Sequence, residues 1–265
     1  MPKTTGTRRS TKAYQNFTDQ IEALWNFAVM ICYAVPTLKK NIKAIEQNIP
    51  NYSLPKNDLF LHDRSTQTEL KQLAAEYKQR LSAYLWLSSF SFFEAFVSGA
   101  LKELIEFHGG ADKFIGSGEK AGHSAITKVQ PKEVVASRAG LSGQYVHHKM
   151  DRYRKQTRIL IERNYRFPSE LFSSYGIRML VSKAGELKAA EIPDLLTQAL
   201  HFDLSTDAFQ RFDKYRKIRN NIAHGEPGNL SLAGAFDVSK NLRRLASHID
   251  DHLVTHFFVM ERFRT

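Results

Sequence analysis

Gln67 to His108 reads QTELKQLAAEYKQRLSAYLWLSSFSFFEAFVSGALKELIEFH, and this stretch decides the fold class. Leu70, Leu73, Ala74, Tyr77, Leu81, Tyr84 and Leu85 recur at spacings that put them on one face of a helix. By Phe90 the apolar residues occupy nearly the whole circumference, which predicts a long helix whose middle is buried in a bundle. Gly109-Gly110 supplies the stop expected after the last periodic residue.

On the N-terminal side, residues 1–11 are polar and unpatterned and read as a flexible tail. A first helix is expected from Lys12, with Phe17, Ile21, Leu24, Trp25 and Ala28 as its stripe. Pro36 should kink or break it before a second stretch ending near Asn48. IPNYSLPKND reads as a loop. On the C-terminal side the pattern weakens between Ala111 and about Glu191, where five glycines leave one long helical stretch around Tyr145 to Asn164; residues 111–191 read as an insertion. Ile192-Pro193-Asp194 opens a short helix, proline being tolerated in the first turn. Ser205, Thr206 and Asp207 are cap candidates for a helix carrying Ala208, Phe212, Tyr215, Ile218 and Ile222, ended by Gly225 and Pro227. A last helix is expected from Leu232 to Phe263. No alternating strand pattern and no fixed repeat occurs, so the natural packing is all-α, one helical domain over residues 12–265.

The 265 residues include 38 Lys and Arg against 27 Asp and Glu, a net charge of +11 that favours polyanionic partners, nucleic acid first. Cys32 is the single cysteine, so an intramolecular disulfide and a cysteine-based zinc site are excluded and a reducing cytoplasm is the expected compartment. Ala83 to Leu101 lacks Lys and Arg and has the length of a membrane span, but Glu94 would cost roughly 2.5 to 3.5 kcal/mol there, so no span is expected. No signal peptide is expected either, because Asp19 and Glu22 precede the apolar stretch.

Polar chemistry concentrates at Lys214 to Gly225, KYRKIRNNIAHG. On a helix Arg216, Asn220 and His224 share one face, while Ile218 and Ile222 turn inward. His224 falls in the last turn, where the negative end of the helix dipole favours an imidazolium and suits it to move a proton. A helix C-terminus repels phosphate, so an RNA site there needs the positive charge of Arg219, Arg216 and Lys217. RNA carries its own nucleophile, the 2′-hydroxyl. Cleavage by its attack on the adjacent phosphodiester needs only proton transfer, orientation and charge stabilisation, without metal or cofactor. One His, one Arg and an orienting Asn form a sufficient set.

Arg219-Asn220-Asn221-Ile222-Ala223-His224 resembles the motif of HEPN-superfamily ribonucleases, an Arg and a His separated by four to six residues at a helix end, commonly with a polar residue after the Arg. Phe92-Phe93-Glu94-Ala95-Phe96 is similar to the apolar helix with an embedded acid in some members. The resemblance implies a HEPN-like core over about 67–108 and 192–263, and catalytic roles for Arg219, Asn220 and His224, supported by Glu94 and Arg216. It also implies a homodimer whose motifs face each other in one composite cleft and RNA cut to 2′,3′-cyclic phosphate and 5′-hydroxyl ends. The implied setting is toxins or anti-phage defence, where an inhibitor or antitoxin protein is an expected partner.

Other features carry less. Arg243 to His248 repeats the Arg-and-His spacing but lies mid-helix and includes the core position Leu245, which makes it a chance match. Glu94 is either a paired buried carboxylate or a member of the site, Arg219 being the partner to test. His248, His252 and His256 form a stripe of zinc-ligand spacing, but no second helix offers matching ligands, so half-buried histidines at the core edge are expected. His147-His148 reads as a surface contact. Lys149, Arg152, Arg154, Lys155 and Arg158 read as an RNA-guiding surface, with Tyr145, Tyr153 and Tyr165 available to stack on bases, or else as a solvated basic face. A non-catalytic helical module that binds RNA or a partner protein is the competing function.

Overall fold

The computed structural model describes residues 10–54, 67–115, 174–226 and 228–258, with residues 132 and 136 besides. No strand occurs among the described residues. The main helices are α1 (Lys12–Glu46), α2 (Gln67–Phe107), α3 (Ser174–Lys183), α4 (Ile192–Asp194), α5 (Thr206–Ala223) and α6 (Leu232–His256). A 3-10 turn (Ala189–Glu191) precedes α4 and a π turn (Leu195–Ala199) follows it. The chain divides into two compact units. One comprises Met1–Phe17, Phe93–Arg216 and Arg243–Thr265; the other comprises Thr18–Phe92 and Lys217–Leu242.

The first unit is built on aromatic packing. Phe93 meets Phe17 edge to face at 6.3 Å between ring centroids and lies tilted against Phe212 at 5.9 Å. Phe17 and Phe93 are both fully buried. Gly99 explains how closely α1 and α2 approach: a Cβ placed there would sit 3.1 Å from that of Ala13, tighter than ordinary van der Waals contact. Polar groups fix the start of α1. Thr11 Oγ1 accepts from the Tyr14 amide at 3.1 Å, as an N-cap residue does. The Glu103 carboxylate accepts from the Lys12 amide at 3.0 Å and also from the Ala13 amide, which satisfies the open N–H groups of the first turn and complements the helix dipole. Thr11, the last residue of the stretch read as a tail, is itself buried, and its amide and hydroxyl both donate to Oδ1 of the buried Asp250, at 3.1 and 2.5 Å. Ser205 caps α5 by accepting from the Ala208 amide at 3.3 Å.

The second unit packs Leu24 and Ala28 of α1 with Leu81 and Leu85 of α2 and Ala235 of α6, flanked by Trp25, Ile31, Cys32, Phe92 and Leu232. Trp25 donates its Nε1 hydrogen to Ser239 Oγ at 2.8 Å and meets Phe236 edge to face, so its polar atom is satisfied where the ring is covered. Ser231 caps α6 through the Gly234 amide at 3.1 Å. Of the kink or break expected at Pro36, the break does not occur: a single helix runs from Lys12 to Glu46. Proline removes one amide and disturbs the bond around the preceding turn. One turn of the same helix also carries a side-chain back-bond, the Thr37 hydroxyl donating to the Tyr33 carbonyl at 3.0 Å. α6 stops at His256, short of the expected Phe263; residues 259–265 lie outside the described part.

Candidate functional site

Helix α5 ends inside the Arg219 to His224 motif, and the ending is a specific hydrogen-bonded structure. The Gly225 amide donates to the Ile222 carbonyl at 3.0 Å and the Glu226 amide to the Asn221 carbonyl at 2.8 Å, while Gly225 takes φ +85°. This is the Schellman arrangement, with His224 as the C-cap and glycine at the left-handed position where a side chain would be strained. The His224 amide donates to the Asn220 carbonyl at 3.0 Å. Three carbonyls of the last turn are therefore already satisfied by backbone, and the His224 imidazole is not needed to cap them. Its side chain is exposed, whereas Ile222 is buried beneath it.

Arg219 and Asn220 are half-buried and joined: Arg219 Nη1 donates to Asn220 Oδ1 at 3.2 Å, and Arg219 Nε lies buried. The Asn220 side-chain oxygen thus holds one nitrogen of the guanidinium. Arg219, Asn220 and His224 all belong to the second unit. On a regular helix Arg219 and His224 lie about 140° apart, so one copy does not enclose a phosphate between them.

The supporting residues stand differently. Arg216 and Glu94 belong to the first unit, and both are half-buried. Arg216 Nη2 is engaged with Asp213 Oδ1 at 2.7 Å, an ion pair one turn apart on α5. Its charge is not freely available for a phosphate, and the Asp213 partner was missed although its spacing was visible in the sequence. Lys149, Arg152, Arg154, Lys155, Arg158, His147, His148 and the three tyrosines expected to stack on bases all lie outside the described residues.

Arg243, Arg244 and His248 lie within α6, each exposed, with no helix end among them. The histidine stripe does not act as one unit. His248 is exposed rather than half-buried, while His252 Nε2 bonds the Leu200 carbonyl at 2.8 Å and its ring meets Phe202. His108, which the sequence reading passed over, caps α2 in the same Schellman form: the Gly109 amide reaches Glu106 O at 2.9 Å and the Gly110 amide Ile105 O at 3.0 Å. Its Nε2 donates to the Phe257 carbonyl at 2.8 Å, and burial pushes its pKa down more than that bond raises it.

No curated protein and no solved structure matches the chain. The family model RiboL-PSP-HEPN matches residues 56–255, a range that includes the Arg219 to His224 motif and Glu94, and also residues 111–191. With most of its length matched and every described element helical, the chain belongs to the RiboL-PSP-HEPN family of the HEPN superfamily.

Proposed function

We propose that the chain is an endoribonuclease that cuts RNA without a metal, by attack of the 2′-hydroxyl on the adjacent phosphodiester. The observation that carries this reading is an exposed histidine and an oriented arginine on one capped helix end inside the family match. In the reaction the 2′-oxygen forms a bond to phosphorus as the bond to the 5′-oxygen breaks. One His224 imidazole takes the 2′-hydroxyl proton. The second copy's His224, entering as imidazolium, gives a proton to the departing 5′-oxygen. Arg219, held by Asn220, stabilises charge on the non-bridging oxygens. The products are a 2′,3′-cyclic phosphate and a 5′-hydroxyl. Two motifs are required because each chain offers one such histidine and because Arg219 and His224 diverge on the helix. The reading therefore includes a homodimer with a composite site. A toxin or anti-phage effector acting in the cytoplasm, with an inhibitor or antitoxin protein to restrain it, is the corresponding biological role.

The test is a digest of purified RNA in EDTA, with the product ends identified. Wild-type protein should leave cyclic phosphate, and His224→Ala should abolish cutting. Because His224 is exposed and its backbone makes the cap, this substitution should change stability by no more than about 0.5 kcal/mol. Cutting that requires Mg²⁺ or survives His224→Ala overturns the proposal. The half-buried, internally bonded Arg219 supports a second reading, in which the motif is structural and the chain is a non-catalytic module that binds RNA or a partner protein. On that reading His224→Ala has no effect on RNA because the wild type binds it without cutting.

A further inference from the structure

Only one side of helix α1 is covered. Ile21, Leu24 and Ala28 are buried, the last two against Leu81, Leu85 and Ala235. Among the described residues the other side is left open: Val29 is 52% exposed, Met30 56% and Tyr33 77%, and Phe27, edge to face with the exposed Tyr84, is 41% exposed. No charged residue occurs from Leu24 to Leu38. By length and composition α1 is a helix that could cross a membrane, yet only 17% of its apolar window is buried. Scattered apolar residues on a surface need no explanation, but a continuous stripe of this kind marks a contact.

The charges that frame the stripe are of opposite sign. Asp19 and Glu22 are exposed at its N-terminal end, and Lys39 and Lys40 at its C-terminal end. Glu22 and Lys40 stand about five turns and about 27 Å apart along one line of the helix, with Val29 and Tyr33 on either side of that line. We infer that this face pairs with the same face of a second copy in antiparallel orientation, centred at the level of Ile31. That arrangement sets Glu22 of each chain opposite Lys40 of the other and brings Met30 and Tyr33 close to the two-fold axis. Parallel pairing would set Glu22 against Glu22 and Lys40 against Lys40, so the charge order selects the antiparallel form. Exposed ion pairs contribute little energy each, and here they fix direction while the apolar stripe supplies the attraction. A lipid surface is a poorer occupant. The Asp19 and Glu22 carboxylates at one end oppose an anionic leaflet, and the burial of Leu24 and Ala28 ties the helix to its unit. This interface does not rest on the ribonuclease reading, since α1 lies N-terminal to the family match.

Cross-linking of the full chain tests it, with Cys32→Ala removing the native thiol. A short bis-maleimide should link Met30→Cys chains to each other in high yield and leave Lys40→Cys chains unlinked. A mixture of Glu22→Cys and Lys40→Cys chains should give the heterodimer. Glu22→Lys should lower the Met30→Cys yield about tenfold, and adding Lys40→Glu in the same chain should restore it. Unlinked Met30→Cys chains, self-linked Lys40→Cys chains, or flotation with phosphatidylserine vesicles in place of cross-linking would each overturn the inference. Positive cross-links from a protein that leaves RNA intact would sink the ribonuclease reading and leave this one standing; cleavage without cross-links would do the reverse.

Discussion

His108 and His224 each occupy the last position before a helix-ending glycine, and the same backbone hydrogen bonds surround both. What separates them is cover. His108 stacks on Phe114 at 5.0 Å and donates to the Phe257 carbonyl, so it is held neutral with its pKa lowered from 6.5, chiefly by burial. The unfolded chain protonates this group at its ordinary pKa while the folded chain resists. Its contribution to stability is therefore complete above about pH 6.5 and is lost progressively as the pH falls below that value. The urea midpoint should drop between about pH 7.5 and about pH 5.5, and His108→Gln, which keeps a donor for Phe257, should flatten that dependence. Gly225 offers a second test at this scale. Its φ is +85° and a Cβ there would meet nothing within 4 Å, so Gly225→Ala should cost about 1 kcal/mol through backbone strain alone, measured by urea unfolding. Both helix ends were legible in the sequence because glycine is needed locally. The difference between the two histidines was not, because it is decided by Phe257, 149 residues from His108 in the chain.

At the level of the helices, periodicity was a partial guide: of the stripe read on α2, Ala74, Leu81 and Leu85 are buried, whereas Leu73 and Tyr84 are exposed. It was a poorer guide at Pro36, where a kink or break was expected and the helix runs on, with buried Ala28 before the proline and buried Ile42 after it. The motif helix was legible in the same partial way. Its end and its apolar underside were evident, whereas the engagement of Arg216 by Asp213 and of Arg219 by Asn220 depends on rotamers that spacing does not give. Gly99 shows how a small residue sets a helix crossing. Gly99→Leu should force α1 and α2 apart at Ala13 and lower stability by about 1–3 kcal/mol, despite leucine's better helix propensity; denaturant midpoints would show it.

For the molecule as a whole, the all-α class followed from composition and pattern, and the family match agrees with it. The division of the long helices between two units had no sequence signal, because each unit gathers segments far apart in the chain. Thr11 and Asp250 illustrate this. They join positions 239 residues apart through two hydrogen bonds to one buried carboxylate oxygen. Asp250→Ala should destabilise the protein by about 2–3 kcal/mol by leaving buried donors without that acceptor, and Asp250→Asn, which retains an oxygen, should cost less; urea unfolding would rank them. The same clasp bears on the order of events during synthesis. At ribosomal speed the acceptor for Thr11 follows it by roughly ten to fifty seconds, so the N-terminal turn of α1 must wait for the last helix before its unit can close. A nascent chain arrested before α6 would carry the whole Arg219 to His224 motif on an unfinished scaffold.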